Sequence, residues 1–573
     1  MEIGRAETLH KFFREILKIS GGRIFLLVFL QMALSGMSVG QAFVLREIVN
    51  NAADRNREGF LFSIISFLLV LVLQISVRSV VYSLEEYVRS GLENQLKKRL
   101  FENLLKKEYA DVSRTHSGEW MNRFTSDTVV VANGLVELIP GAAGMVVKLC
   151  CSAAAIFCIL PRLVIFVLPA GIAMAFLSGM LRKTMKRLHR EMQEADGQLR
   201  ILIQERLGAL MVLHAFSVED MVQKDAECKM MIHRKRRMRK NIFSNFCSIG
   251  LAVSISLLYF TCMVYCGYGI LNGRLDYGTF PALMQLVGQI QTPFVYMSGF
   301  VSRWYAVAAS AERLMEPEVF PDRKKEEYSL TYIKQFYCTD FQGLLLENGF
   351  FSYPDMGIGE NKKGITDVSM KICKEESVAF LGKSGCGKST VLKLFMCLYP
   401  LDAGKLVIKA RSGEICLDAR WQKLFAYVPQ GNYLMSGSIR EIIAFYAKED
   451  MQDEGRIWKV LAIACADRFV KELKYGLDTV LGERGIGLSE GQMQRLAIAR
   501  AIFSEHPILL LDECTSALDE DTEYRVLRNL RRMTDRTVVL VTHRPAALEI
   551  CDKIIRFEEE NGNGTEELKI ERD

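Results

Sequence analysis

The run Val378–Thr390, VAFLGKSGCGKST, carries the most specific chemistry in the chain. Val378–Leu381 is short and apolar and reads as a strand. Gly382, Lys383, Ser384, Gly385, Cys386, Gly387, Lys388 and Ser389 then match GxxxxGK[ST], and an apolar helical pattern follows Thr390 through Val391, Leu392, Leu394 and Phe395. Strand, glycine-rich loop and helix form the context in which this pattern holds phosphates. The glycines let backbone N–H groups converge on phosphate oxygens, and the helix N-terminus adds a favourable dipole. Lys388 can reach the β- and γ-phosphates, and the Ser389 hydroxyl can complete a Mg2+ shell. A second apolar run, Ile508–Leu511, has the composition of a buried parallel strand and ends in Asp512 and Glu513. Asp512 is placed to hold Mg2+, directly or through water. Glu513 is placed to polarise an attacking water. Two acids at a strand end are not chemistry by themselves; the glycine-rich loop upstream gives them that reading.

The rest of the chain must position these groups. It has 573 residues, half of them apolar, with 24% charged and a mean hydropathy of +0.12. Those figures exclude a disordered or collagen-like chain and a small disulfide-stapled scaffold. The net charge of +6, from 73 basic against 67 acidic residues, is too small over 65 kDa to argue for a nucleic-acid partner, and none is expected. The fifteen cysteines form no CxxC pair, and reduced, buried thiols are expected.

Composition divides the chain in two. Residues 1–315 alternate long apolar runs with basic stretches, 316–344 are polar and read as a linker, and 345–573 read as a water-facing α/β domain. Six apolar runs are long enough to cross a bilayer, at about 24–45, 60–82, 129–160, 163–181, 242–271 and 279–301. A buried core helix is usually shorter and keeps a polar face. Ser83–Thr128 and Arg182–Asn241 together hold 23 Lys/Arg, whereas the opposite loops hold four. The basic side stays cytoplasmic, so the N-terminus and the C-terminal half are expected there. The run His233–Lys240 suits a charge belt facing anionic lipid better than a nucleic-acid patch. Long inside connections rich in Leu, Lys and Glu predict membrane helices that run on into the cytoplasm. The expected fold class is an all-α six-helix transmembrane domain with long cytoplasmic extensions, followed by an α/β P-loop NTPase domain.

With these motifs in order, the chain resembles the ATP-binding cassette (ABC) family over about residues 345–560. Phe351-Ser352-Tyr353-Pro354 resembles its aromatic loop, which implies that Tyr353 stacks on the adenine of ATP. Tyr427-Val428-Pro429-Gln430 resembles the glutamine loop, with Gln430 touching Mg2+. Leu488-Ser489-Glu490-Gly491-Gln492 resembles the signature, so Ser489, Glu490, Gly491 and Gln492 would face the ATP of a partner subunit. Ser516-Ala517-Leu518-Asp519 resembles the D-loop, and Val541-Thr542-His543-Arg544 the strand whose His543 contacts the γ-phosphate. Gly482-Glu483-Arg484-Gly485 resembles a short loop typical of exporter members. The six spans ahead of one nucleotide domain, with the segments Ser117–Asp127 and Asn272–Phe280, resemble the exporter half-transporter. That resemblance implies an ATPase driving transport, with cofactors ATP and Mg2+. It also implies a second half-transporter subunit, in a homodimer or a heterodimer, because each ATP lies between one P-loop and the other subunit's signature. Short turns near Ala110–His116 and Leu207–Ala215 would couple the two halves.

The signature departs from the pattern at Glu490, where the family usually has Gly. A carboxylate facing a triphosphate is disfavoured, and a helix N-terminus partly offsets this. Either Glu490 points to solvent, or the chain supplies a weakened signature to one site of a heterodimer. Intact Glu513 and His543 favour a pump over an ATP-gated channel or regulatory subunit; an importer on the same scaffold stays open. A lipid bilayer, and by resemblance a bacterial inner membrane with the nucleotide domain in the cytoplasm, is the expected setting. The transported substrate is not readable. Gln31, Gln74, Lys148, Gln285, Gln289 and Gln291 are expected to line the chamber, and the membrane-embedded Glu137 and Lys148 draw attention as ionisable groups. A peptidase domain ahead of the first span is not expected.

Overall fold

The computed structural model describes residues 2–323, 328–353, 364–431, 434–445, 447, 449–482, 487–544, 549–557 and 565–569. Their side chains are described except at 2–8, 10, 17, 19, 162–183, 251, 255, 258, 294, 295, 297, 298, 301, 302 and 565–569. The chain divides into two compact units, one of residues 1–103 and 117–319, the other of residues 104–116 and 320–573.

The first unit is helical. Its long helices are α1 (Glu2–Ala53) and α2 (Arg57–Lys106); after the short α3 (Tyr109–Val112) and α4 (Ser117–Asn122) come α5 (Thr128–Ile159), α6 (Pro161–Gly208), the short α7 (Leu210–Phe216), α8 (Glu219–Leu271) and α9 (Thr279–Val319). α3 and the end of α2 belong to the second unit. At 53 residues α8 is roughly 80 Å long, far more than a bilayer core of about 30 Å, so the extension beyond the apolar run is built into one continuous helix. Four stretches among the described residues are long and apolar enough to cross a membrane: Ser20–Ala53, Arg57–Lys106, Ser117–Ile159 and Glu219–Leu271. The expected span at 163–181 falls on side chains outside the described residues, as does part of the one at 279–301. The bundle core joins Val39 and Ala42 of α1, Ile156 of α5, Cys262 and Cys266 of α8, and Leu283, Leu286 and Ile290 of α9. Large apolar side chains such as Phe62, Leu69, Phe246 and Leu257 face outward, which suits lipid as solvent.

α4 passes into α5 through one π-helical turn, Arg123–Asp127. Two buried charges there tie this corner to α9. Asp127 accepts from both nitrogens of the Arg313 fork, at 2.6 and 2.8 Å, and from the Ser310 hydroxyl at 2.8 Å. Arg123 lies over Trp120 and reaches Glu119 at 2.9 Å and Glu316 at 2.7 Å. Glu137 pairs with Arg89 and Arg303, each at 3.5 Å, rather than with Lys148. Gln289 is buried and used between helices, donating to the Ser38 carbonyl at 2.8 Å and lying 3.3 Å from the Ser152 hydroxyl; it is a tie, not part of an open lining.

The second unit carries α10 (Leu330–Thr339), β1 (Phe341–Ser352), β2 (Gly364–Cys373), β3 (Ser377–Leu381), α11 (Lys388–Phe395), β4 (Ala403–Ala410), β5 (Gly413–Cys416), β6 (Phe425–Val428), β7 (Gly437–Ser438), α12 (Ile439–Ile443), α13 (Glu454–Ile463), α14 (Asp467–Glu472), β8 (Val480–Leu481), α15 (Glu490–Phe503), β9 (Ile508–Asp512), α16 (Glu520–Arg531), β10 (Thr537–Val541), β11 (Lys553–Phe557) and β12 (Thr565–Lys569). One antiparallel sheet runs β2-β1-β4-β5; the other runs β12-β11-β3-β10-β9-β6, parallel from β11 to β6. β9 and β10 are buried at every position, as parallel strands covered on both faces must be. The stretch expected as a linker is partly structured. α9 continues to Val319, and α10 buries Ile333, Phe336 and Tyr337 beside Trp421, because these residues recur at helical spacing on one face.

Candidate nucleotide site

The glycine-rich loop sits between β3 and α11, at the carboxyl ends of the parallel strands, where open α/β sheets place ligands. Its backbone geometry excludes side chains. Gly387 has φ +100°, and a Cβ there would lie 2.6 Å from Ile365; Gly382 has φ +147°, and a Cβ would meet the Phe557 carbonyl at 2.7 Å. Lys383, Ser384 and Gly385 form the exposed crown of the loop. The Lys388 ammonium is buried inside it, donating to the carbonyls of Gly382 at 2.6 Å and Lys383 at 2.8 Å, with the Cys386 sulfur at 3.6 Å. A lone cation among carbonyls at a helix N-terminus is an anion cradle.

The acids at the end of β9 meet this loop. The Ser389 hydroxyl donates to Asp512 Oδ1 at 2.9 Å. Burial pushes the Asp512 carboxyl above its usual range, partly countered by hydrogen bonds from Ser389 and Tyr427. Glu513 follows in a left-handed backbone conformation, φ +48°, unusual for a residue with a side chain. Its carboxylate accepts from Gln430 Nε2 at 2.7 Å and lies 3.7 Å from His543 Nε2. So Glu513, Gln430 and His543, far apart in sequence, share one point. Gln430 turns to Glu513 rather than to Ser389 and Asp512.

Tyr353 lies at the end of β1. Its hydroxyl is 3.3 Å from the Thr390 hydroxyl, its ring meets Phe351 and Tyr399 edge-on, and Lys393 lies over it. Pro354 falls outside the described residues. Tyr399 also meets Tyr109 of α3 edge-on, with rings 5.8 Å apart, and its hydroxyl is 3.1 Å from that of Ser113. The turn near Ala110–His116 thus packs within the nucleotide unit beside the aromatic loop. The turn near Leu207–Ala215 contains α7, which exposes Leu210, Met211, Val212 and Phe216.

The signature opens α15. Ser489 is its N-cap: its hydroxyl accepts from the Gln492 amide at 3.3 Å, and the Gln492 side chain accepts from the Ser489 amide at 2.9 Å. Glu490 is the first helical residue and is exposed. Gly491 leaves room for the D-loop, since a Cβ would come 2.7 Å from the Ala517 carbonyl. Asp519 caps α16 by accepting from the Thr522 amide at 3.0 Å, and that contact holds its carboxyl below the usual range. Of the loop Gly482–Gly485, residues Glu483, Arg484 and Gly485 fall outside the described residues.

Three supports of the site escaped the sequence reading. Buried Gln494 donates to the Ser516 hydroxyl and accepts from the Ala517 amide, both at 3.0 Å, fixing signature helix to D-loop. Arg544, next to His543, donates to the carbonyls of Ser516 and Leu518 and to buried Glu523. Tyr427 donates to Asp512 Oδ2 at 3.1 Å. Each partner lies 20 or more residues away, so no local pattern announces it.

Residues 24–294 match the ABC transporter transmembrane region, and residues 365–516 match the ABC transporter nucleotide domain. The chain belongs to the ABC transporter family, as an exporter-type half-transporter with both regions in one polypeptide. It is similar to a multidrug resistance ABC transporter ATP-binding and permease protein of Lactococcus lactis subsp. lactis, 27% identical over 468 residues, or 81% of this chain and 77% of the relative. An ATP-dependent lipid A-core flippase of Haemophilus ducreyi is also 27% identical, over 90% of this chain and 87% of its own length. Among solved structures, a bacterial Atm1-family ABC exporter with ATP bound shares the fold, with a TM-score of 0.77 at 21% identity, over 95% of this chain and 94% of the other.

Proposed function

We propose that the chain is one half of a dimeric exporter driven by ATP hydrolysis. Residues 1–315 form the membrane domain, 345–573 the nucleotide domain, and 316–344 the join between them. The observation that carries this reading is the convergence of Gln430 and His543 on Glu513, beside the Ser389–Asp512 pair. Tyr353 stacks on adenine, and the Gly382–Thr390 loop with Lys388 takes the phosphates. Glu513 orients and deprotonates the attacking water, and His543, 3.7 Å from Glu513, takes the contact to the γ-phosphate. Ser389 and Asp512 supply hard oxygen donors that suit Mg2+, with Gln430 at the margin of the set. When bound, Mg2+ neutralises charge developing on the phosphate oxygens.

The signature, Ser489 to Gln492, together with Asp519, faces ATP held by the partner, so the site is incomplete in one subunit. Clamping of two nucleotide domains on ATP gives contacts the ADP state lacks, and that difference biases a two-state helix bundle. The basic inside connections support a cytoplasmic nucleotide domain, and the bacterial relatives support a bacterial inner membrane. Relatives named for multidrug resistance and for lipid A-core flipping point to an amphipathic cargo.

The test is steady-state ATPase of the purified chain in lipid. Glu513→Gln is expected to retain ATP binding and lose at least about a hundredfold in turnover, the scale of a general base. Undiminished turnover would remove Glu513 from that role. Directional uptake into inverted vesicles that requires hydrolysis separates a pump from a channel.

A further inference from the structure

Two side chains, Tyr427 of β6 and Gln430 two residues past its end, address the two acids at the end of β9. Gln430 donates to Glu513, and Tyr427 donates to Asp512 Oδ2 at 3.1 Å. The strands are parallel neighbours, with Tyr427 paired to Leu510 and Val428 to Leu511, so the reach from Tyr427 to Asp512 is set by sheet register rather than by a loop. The Tyr427 ring is half-buried and packs on the core beneath the site. Asp512 is 2% exposed, and its oxygens are held from two elements, Oδ1 by Ser389 of α11 and Oδ2 by Tyr427 of β6.

We propose that Tyr427 is a positioning residue for Mg2+ binding, its hydroxyl fixing the Asp512 carboxylate through Oδ2 so that Oδ1 stays turned toward Ser389, the residue that would hold the metal with it. The inference rests on the reading that Ser389 and Asp512 hold Mg2+. The Ser389 hydroxyl has two duties: in this structure its proton points at Asp512, and as a metal ligand it presents its oxygen lone pair instead. Tyr427 has no such second duty. Once Ser389 turns to the cation, the phenol remains as the donor that stops the Asp512 carboxylate from rotating. Partners of this kind, one step removed from the metal, typically change metal affinity by ten- to a hundredfold when removed. Because Tyr427 and Gln430 lie three residues apart, in β6 and just past its end, a shift of that segment would be felt at both carboxylates.

The experiment measures binding of the fluorescent analogue TNP-ATP to the full-length chain in detergent, with excess Mg2+ and with EDTA. Tyr427→Phe keeps the ring and removes the hydroxyl alone. The wild-type chain is expected to bind more tightly with Mg2+ than with EDTA, and Tyr427→Phe to lose roughly tenfold of that gain while its affinity in EDTA stays unchanged. In an Asp512→Asn background the same substitution is expected to add nothing. A Tyr427→Phe chain with the full metal gain overturns the proposal. So does an equal loss with and without metal, which would mark a packing role, or an undiminished effect in the Asp512→Asn background. A wild-type chain with no Mg2+ gain would instead take down the underlying assignment of Ser389 and Asp512.

Discussion

Arg544 braces the D-loop, and its removal has a calculable cost. Glu523 is 1% exposed, and among the described residues its carboxylate has two partners, the Thr515 hydroxyl at 2.8 Å and Arg544 at 3.0 Å. Arg544→Met keeps the aliphatic stem and leaves a buried carboxylate without its cation. Breaking a buried pair from one side costs about 3–5 kcal/mol. The Arg544 side chain is 34% exposed, so water screens part of this, and about 2–3 kcal/mol is the expected loss. For a domain of this size each kcal/mol moves the midpoint by about 2–4 °C, giving a fall of about 4–12 °C. The assay is thermal unfolding of the full chain followed by a dye or by tryptophan fluorescence, alongside ATPase. Adding Glu523→Gln removes the stranded charge, so the double variant is expected to recover at least half of the lost stability while ATPase stays low, since the carbonyls of Ser516 and Leu518 have still lost their donor. Strictly additive losses, or a single variant as stable as wild type, would refute the argument that a buried carboxylate is what Arg544 neutralises.

Two other outcomes are open to measurement. Glu490→Gly removes a carboxylate from the first turn of α15; if the signature faces a partner's triphosphate as proposed above, in a homodimer this is expected to raise ATPase severalfold, and an unchanged rate would mean that the side chain stays out of range in solvent. Glu505 is held below the usual carboxylate range, first by the Lys334 ammonium and then by Arg456. A carboxyl with a lowered folded-state pKa contributes stability that is present above its unfolded value of about 4.3 and is lost as pH falls through the folded one. The stability gap between wild type and Glu505→Gln is therefore expected to be full at neutral pH and to close below about pH 4; a gap independent of pH would assign Glu505 a packing role only.

Some of this design is legible in the sequence because its physics is local. The glycines at 382 and 387 are dictated by backbone angles, and the capping box Ser489–Gln492 lies within one helical turn. The α/β character of the second unit follows from strands such as ILLLD and TVVLV, apolar throughout because both faces are covered. The long helices follow from apolar runs continued by Leu-, Lys- and Glu-rich stretches. Where partners are distant, the signal disappears. Tyr427 reaches an acid 85 residues on, and Asp127 meets Arg313 186 residues on. Neither leaves a periodic trace. The polarity of 316–344 predicts a bare linker because Glu316, Arg323 and their neighbours outweigh the apolar Ile333, Phe336, Tyr337, Phe341 and Leu344 that the fold buries.

The left-handed backbone of Glu513 is the deepest of these unreadable features, and it bears on function. A residue with a side chain at φ +48° costs of order 1–3 kcal/mol and persists only where its surroundings over-determine it. Here the Glu513 amide donates to the Val541 carbonyl at 3.1 Å, at the end of the adjoining strand β10, and that same strand leads directly into His543. The strain is therefore maintained by the strand that leads into His543. A slide of the end of β10 relative to β9 would therefore disturb both His543 and the Glu513 backbone. Gln430, two residues past the end of β6 on the other side of β9, adds a second contact to the carboxylate that His543 approaches. The ends of β9 and β10 and the turn after β6 thus set the position of one carboxylate, and a displacement at any of them moves it.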